Sequence, residues 1–204
     1  MTTLLLVHGG LWEPGMDAGA FWRRPGVVAA LEERGFDVLA PDRSVRAPSW
    51  PIEAEHLAGT LPAQPVTVVA GSNGCSAAMR LALARPDAVA RLLLAWPATA
   101  GDARIDARTA AALAAAGATP ETVTALLAGE TLRGVTEPEL AGLTPQLGLV
   151  PADPPDPFHQ RRTVDALATL VPGATVLPGC TESPRPDFGP DLDRFADAVA
   201  AFAG

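Results

Sequence analysis

Short runs of apolar residues alternate along this chain with longer stretches in which apolar positions recur every three to four residues. Short unbroken runs read as strands of a parallel sheet covered on both faces, and the wider spacing reads as amphipathic helix. The runs predict strands at Leu4 to Val7, Asp37 to Ala40, Val66 to Ala70, Arg91 to Ala95, Gln146 to Val150 and Ala174 to Leu177. Helices fill the gaps. Pro25 opens one that runs through Val27 to Glu33 and stops at Gly35, in keeping with proline in a first turn and glycine just past a last one. Gly74 to Ala84 ends before Arg85-Pro86, and Gln160 to Leu170 and Pro190 to Phe202 carry the same spacing. The expected fold class is α/β, a roughly six-stranded, mostly parallel sheet with helices on both faces.

The stretch 98–143 breaks the rhythm. It is rich in alanine and threonine and contains two helix starts with no strand between them, Thr119-Pro120-Glu121 and the capping-box spacing Thr136-Glu137-Pro138-Glu139. We expect a small helical lid inserted over the carboxyl edge of the sheet. The chain is otherwise expected to form one domain, 1–204, because 204 residues with 48% hydrophobic content suffice for one core and are few for two.

Charge narrows the function. The formal net charge is −8 and every basic residue is arginine, which argues against nucleic acid and against an anionic membrane surface as partners. No run is long enough to span a bilayer, and the apolar run near Met1 is too short for a signal peptide and lacks a positive flank. The expectation is a soluble cytoplasmic protein acting on a small molecule, with its oligomeric state open, a homodimer included. Cys75 and Cys180 lack zinc-site spacing and read as buried thiols. No phosphate-cradling lysine loop exists, and the glycines at 9 and 10 do not extend to a dinucleotide fingerprint, so no cofactor and no metal is expected.

The chemistry concentrates at Ala70-Gly71-Ser72-Asn73-Gly74, a serine among small residues where a strand turns directly into a helix. Such a nucleophile elbow holds its serine in a strained backbone conformation, and a Cβ at the small flanking positions would clash. Two further blocks accompany it in order: Leu4-Leu5-Leu6-Val7-His8-Gly9-Gly10 before it, and Val176-Leu177-Pro178-Gly179 ahead of a final amphipathic helix. With these blocks the chain resembles a small, minimal-core member of the α/β-hydrolase superfamily with an altered catalytic triad, one that would begin at the strand preceding the oxyanion loop.

The resemblance implies roles. Ser72 would be the nucleophile, the backbone amides of Asn73 and Gly10 the oxyanion donors, with Leu11 beside them, and His8 a residue that holds the loop. The acid would follow the strand ending at Val150, where Asp153 and Asp156 both stand; Asp156 is preferred because Asp-Pro-Phe before a helix matches the usual acid turn. The family's histidine, however, lies after the last strand in a pattern like Pro-Gly-x-x-His, and here Pro178-Gly179-Cys180-Thr181-Glu182 puts a glutamate in its place. His56 reads as a solvated helix residue, which leaves His159.

Three readings follow. In the first, His159 reaches Ser72 from the loop after the penultimate strand, oriented by Asp156, and the protein hydrolyses an ester, thioester or lactone. In the second, Glu182 is desolvated and serves as general acid or base in a cofactor-free elimination, cyclisation or isomerisation. In the third, the chain is an inactive scaffold that binds a small molecule. Trp12, Phe21, Trp22, Trp96 and Phe158 follow carboxyl ends of strands, the edge where open α/β sheets bind ligands, and suggest an apolar or aromatic substrate. Arg43 and Arg46 are placed where they could meet a carboxylate or phenolate oxygen.

Overall fold

Strands form at each of the six apolar runs in the computed structural model, which describes residues 1–204. β1 spans Thr3–Val7, β2 Asp37–Leu39, β3 Val66–Gly71, β4 Val89–Ala95, β5 Gln146–Val150 and β6 Thr175–Val176. All neighbours are parallel, in the order β2-β1-β3-β4-β5-β6. The chain therefore leaves β1 toward one edge of the sheet and returns at β3 toward the other. Such a reversal opens a crevice at the carboxyl ends of the two strands, the usual ligand site of an open α/β sheet. Val7 pairs with Ala70, and Gly71 with Ala95, so the loops leaving β1, β3 and β4 emerge side by side.

Inside the sheet, alternate side chains feed two cores. Leu5, Val7, Val68, Ala70, Leu92 and Leu94 pack on one face against α2 (Trp50–Ala58), α3 (Gly74–Ala84) and α7 (Arg161–Leu170). Leu4, Leu6, Val69, Leu93 and Ala95 pack on the other against α1 (Val27–Glu33) and α8 (Leu192–Ala203). Burial on both faces explains why the central strands are predominantly apolar, Thr67 of β3 and Arg91 of β4 excepted. β6 is shorter than its apolar run predicts because it is an edge strand with exposed residues, paired only to β5.

Between β4 and β5 lie three helices: α4 (Ala103–Ala115), α5 (Pro120–Leu127) and α6 (Glu137–Ala141). Thr119 caps α5 by accepting from the Thr122 amide, and the Glu139 carboxylate reaches back to the Thr136 amide at 2.8 Å, as the two helix starts require. The longest of the three, α4, has no counterpart in the predicted elements. Asp102 caps it through the amides of Arg104 and Ile105, but it buries only Ile105 and Leu113, so no apolar stripe announces it. Trp50 Nε1 donates to the Leu126 carbonyl at 2.9 Å, and Arg80 of α3 pairs with Glu139, tying this segment to the elbow side of the sheet. No helix is long and apolar enough to cross a membrane.

Candidate active site

Ser72 sits at the turn between β3 and α3 with φ of 52°, a left-handed conformation rarely held by a residue bearing a side chain. The turn is tight enough that a Cβ on Gly74 would come within 2.7 Å of the Val7 carbonyl oxygen, so only glycine lets α3 start this close to β1. Across the crevice, a Cβ on Gly9 would stand 3.0 Å from the Ser72 Cβ. The loop after β1 and the elbow are thus in direct apposition. The Gly10 and Asn73 amides donate to no acceptor within the protein.

The Ser72 hydroxyl lies 2.9 Å from His159 Nε2. The histidine comes from the loop between β5 and α7, which is anchored by the Thr99 amide on the Phe158 carbonyl at 2.7 Å and by the Gln160 amide on Thr99 Oγ1 at 3.0 Å. Its other ring nitrogen, Nδ1, is 3.2 Å from Asp156 Oδ2. Asp156 Oδ1 accepts the amides of Phe158 and His159 at 2.7 and 3.1 Å, which fixes the carboxylate relative to the ring. The hydrogen bond from His159, opposed by partial burial, brings the Asp156 carboxyl down to about 2. Asp153 is exposed and its carboxylate takes no part; of the two candidate acids, Asp156 is the one beside the imidazole.

Glu182 enters from the segment after β6 with Oε1 3.4 Å from the same His159 Nε2. Burial raises its carboxyl above the ordinary value, and the nearby His159 and the Ser72 hydroxyl hold that rise back. Asp156, His159 and Glu182 present donor atoms within 4.8 Å of one another. The two carboxylates stand at opposite nitrogens of one ring, Asp156 in a hydrogen bond with Nδ1 and Glu182 in a longer charge contact with Nε2.

These groups open into a cavity of about 560 Å³, within the usual range for small-molecule sites. Gly10, Leu11, Ser72, Asn73, Phe158 and Phe21 line it as expected, and α4 covers it with Ile105, Arg108, Thr109 and Ala112.

Five expected substrate contacts lie elsewhere. Trp22 and Trp96 are fully buried in an aromatic core with Phe195, whose ring is 6.0 Å from Trp22 and 4.9 Å from Trp96. Trp96 does follow the end of β4 and Trp22 lies in a helical turn after β1, but the large rings gain more by packing together in the core than by facing a wet cavity. Trp12 donates from Nε1 to the Ala47 carbonyl and lines a neighbouring cleft. Arg46 lies over that Trp12 ring, 5.7 Å from its centroid.

Arg43 is buried and turned away from the cavity of Ser72. It forms an ion pair with Glu53 and donates to the carbonyls of His8 at 2.8 Å, Gly9 at 3.2 Å and Gly10 at 2.8 Å. A desolvated guanidinium is stable only when its donors are met, and here the loop after β1 supplies the acceptors. The same loop is held by His8, whose Nδ1 meets the Gly9 carbonyl at 2.8 Å while Nε2 accepts the Arg43 amide at 3.0 Å. Burial and the adjacent Arg43 lower the His8 imidazole below its ordinary value. His56 is exposed, as expected, with Nε2 near the Asp42 carbonyl. Both cysteines are buried and unpaired, and burial lifts the Cys180 thiol to about 12.

Several lining residues escaped the sequence reading, Arg108 and Arg133 among them. Arg133, between α5 and α6, is 2% exposed and donates to Asn73 Oδ1 at 3.2 Å and to Asp106 Oδ1 at 3.0 Å. Nothing in the run Leu132-Arg133-Gly134 distinguishes it from a solvated arginine.

No protein-family model and no curated protein sequence matches this chain. Solved structures do. A meta-cleavage product hydrolase from Pseudomonas fluorescens IP01 superposes with a TM-score of 0.71 at 16% identity, over 99% of this chain and 90% of that one. An extracellular alpha/beta-hydrolase from a Paenibacillus species gives 0.70 at 13% identity, covering 99% of both chains. A serine hydrolase from Cycloclasticus zankles gives 0.70 at 18% identity, over 99% of this chain and 89% of that one. The chain has the α/β-hydrolase fold, in a form with a single six-stranded sheet.

Proposed function

We propose that this protein is a serine hydrolase that cleaves an ester, thioester or lactone of a small molecule with apolar or aromatic character. The observation that carries the reading is the 2.9 Å approach of His159 Nε2 to a Ser72 hydroxyl held at φ of 52°. In this mechanism Ser72 Oγ attacks the acyl carbon while His159 Nε2 takes the hydroxyl proton. The amides of Asn73 and Gly10 receive the developing oxyanion, and the imidazolium is stabilised by Asp156. Collapse of the tetrahedral species expels the alcohol or thiol, which leaves with the proton from His159; water then attacks the acyl-serine by the same route in reverse. The 98–143 segment acts as the lid, its α4 shielding the acyl-enzyme from bulk water.

Labelling with a serine-reactive fluorophosphonate tests this. Wild type should be modified at Ser72, Ser72→Ala should be silent, and His159→Ala should label far more slowly. A wild-type protein that stays unlabelled while turning over a substrate would overturn the reading.

A second reading is favoured by one specific observation: Glu182 is partly buried beside both Ser72 and His159, with its carboxyl raised by desolvation. There, protonated Glu182 would serve as general acid in a non-hydrolytic step, with the two amides stabilising an enolate-like oxygen.

A further inference from the structure

The protein has a net charge of −8, and three arginines, Arg108, Arg133 and Arg185, line the cavity of Ser72 together with the carboxylates of Glu13, Asp156 and Glu182. Arg185 is engaged, with NH1 3.2 Å from Asp156 Oδ2 and Nε 3.3 Å from Asp187. Arg108 is different. It makes no ion pair with any carboxylate, and its guanidinium lies 4.8 Å from the centroid of the Phe158 ring, on the cavity wall. Arg108 also lines the adjoining cleft, together with Arg104, Arg161 and Arg162.

Arg133 supplies an independent observation. Its two terminal nitrogens are used, on Asn73, Asp106 and Thr109, but its Nε is buried without any acceptor. An unmet donor on a buried charged group is costly, and native proteins leave few of them. Burial itself depresses the guanidinium below its ordinary value, with Asp106 opposing that effect. One carboxylate balances this side chain, and its bond to Asn73 puts it one residue from the nucleophile position.

We propose that Arg108 and Arg133 form an anion subsite in the cavity, selecting substrates whose acyl part ends in a carboxylate, such as hemiesters or thioesters of short dicarboxylic acids. A carboxylate offers two oxygens with about four lone-pair sites, enough to serve both guanidinium groups at once. Phe158 and Ile105, on the same wall, would pack on the methylenes between the carboxylate and the reacting carbonyl. The placement of the subsite relative to bond cleavage rests on the serine-hydrolase reading above; the recognition of the anion does not.

The test compares the para-nitrophenyl hemiester of glutaric acid with para-nitrophenyl pentanoate, which has the same acyl length without the charge. Wild type should favour the hemiester in kcat/KM. In Arg108→Gln, and separately in Arg133→Lys, the hemiester-to-pentanoate ratio should fall about tenfold or more, as expected for loss of a hydrogen bond to a charged group. Equal ratios in wild type and both variants would overturn the subsite. Glutarate binding by calorimetry gives a readout without turnover, and Arg108→Gln covers the case in which Arg133→Lys does not fold. Binding to wild type that weakens about tenfold in Arg108→Gln supports the subsite even if Ser72 performs no chemistry. Fluorophosphonate labelling of Ser72 with no glutarate binding and no preference for the hemiester would sink the subsite and leave the hydrolase reading intact.

Discussion

His159 Nε2 faces Ser72 Oγ at 2.9 Å although 87 residues separate them, and the histidine arrives from the loop after β5 instead of the segment after β6. An imidazole at hydrogen-bond distance and near neutral proton affinity can take the hydroxyl proton and return it. Replacing His159 with alanine should lower kcat for an activated ester by about 10²–10⁴-fold, the usual range for a positioned acid-base group. Steady-state kinetics against Ser72→Ala checks it, and His159→Ala at wild-type activity would refute the assignment.

Asp156 holds the other side of the ring, so its removal should act through His159. Asp156→Asn should lower kcat by on the order of 10³-fold or more while changing KM little, because an amide can lock the imidazole in the unproductive tautomer. The same carboxyl has a signature in stability. Its folded value is about 2 against an ordinary 3.8, so the stability it contributes is complete above about 4 and is lost as pH falls toward about 2. Urea titrations across that acid window should show a shallower loss in Asp156→Asn than in wild type.

Much of this arrangement is legible in the residues themselves. Six apolar runs become six strands because central strands buried on both faces favour apolar residues, and the elbow is visible because Gly74 has to be glycine against the Val7 carbonyl. His159 and Asp156 emerge from counting the histidines and from the Asp-Pro-Phe turn. What stays hidden depends on which way a side chain faces. Trp96 sits at the end of β4 and Trp22 in a helical turn after β1, but packing with Phe195 turns both into the core. Arg43 looks like a ligand-facing cation until its acceptors, three consecutive carbonyls distant in sequence, are brought to it by β1. The cavity wall made by α4 is equally silent, since a helix that buries two residues leaves no periodic trace.

Arg43 and Glu53 make the next prediction. Both side chains are almost fully buried, so Glu53→Gln leaves a guanidinium without its counter-charge and should cost about 3–5 kcal/mol of stability. Chemical denaturation measures it. Replacing both residues with methionine should recover a large part of that loss, since an apolar pair avoids the unpaired charge. Activity should not recover with it, because the carbonyls of His8, Gly9 and Gly10 would then lose the donor that turns them away from the crevice. A double variant as active as wild type would mean that the loop needs no such clamp.

Glu182 separates the two mechanistic readings, and the sign of its effect follows from its place beside His159 Nε2. Burial raises its carboxyl, so it holds its proton to a higher pH than an exposed glutamate does. Once ionised it places a negative charge beside the imidazolium that forms when Ser72 gives up its proton. Glu182→Gln removes that charge. For serine hydrolysis the variant should stay active, and the acid limb of its kcat/KM profile should move to lower pH. The folded protein should also become less sensitive to rising pH, because a carboxyl raised by burial favours the native state below its folded value and withdraws that support as pH climbs through it. If Glu182 is instead the general acid of a non-hydrolytic step, Glu182→Gln abolishes turnover across the whole profile. A pH series of kcat/KM on wild type and Glu182→Gln tells these outcomes apart, and an unchanged acid limb would show that Glu182 exerts no control over His159.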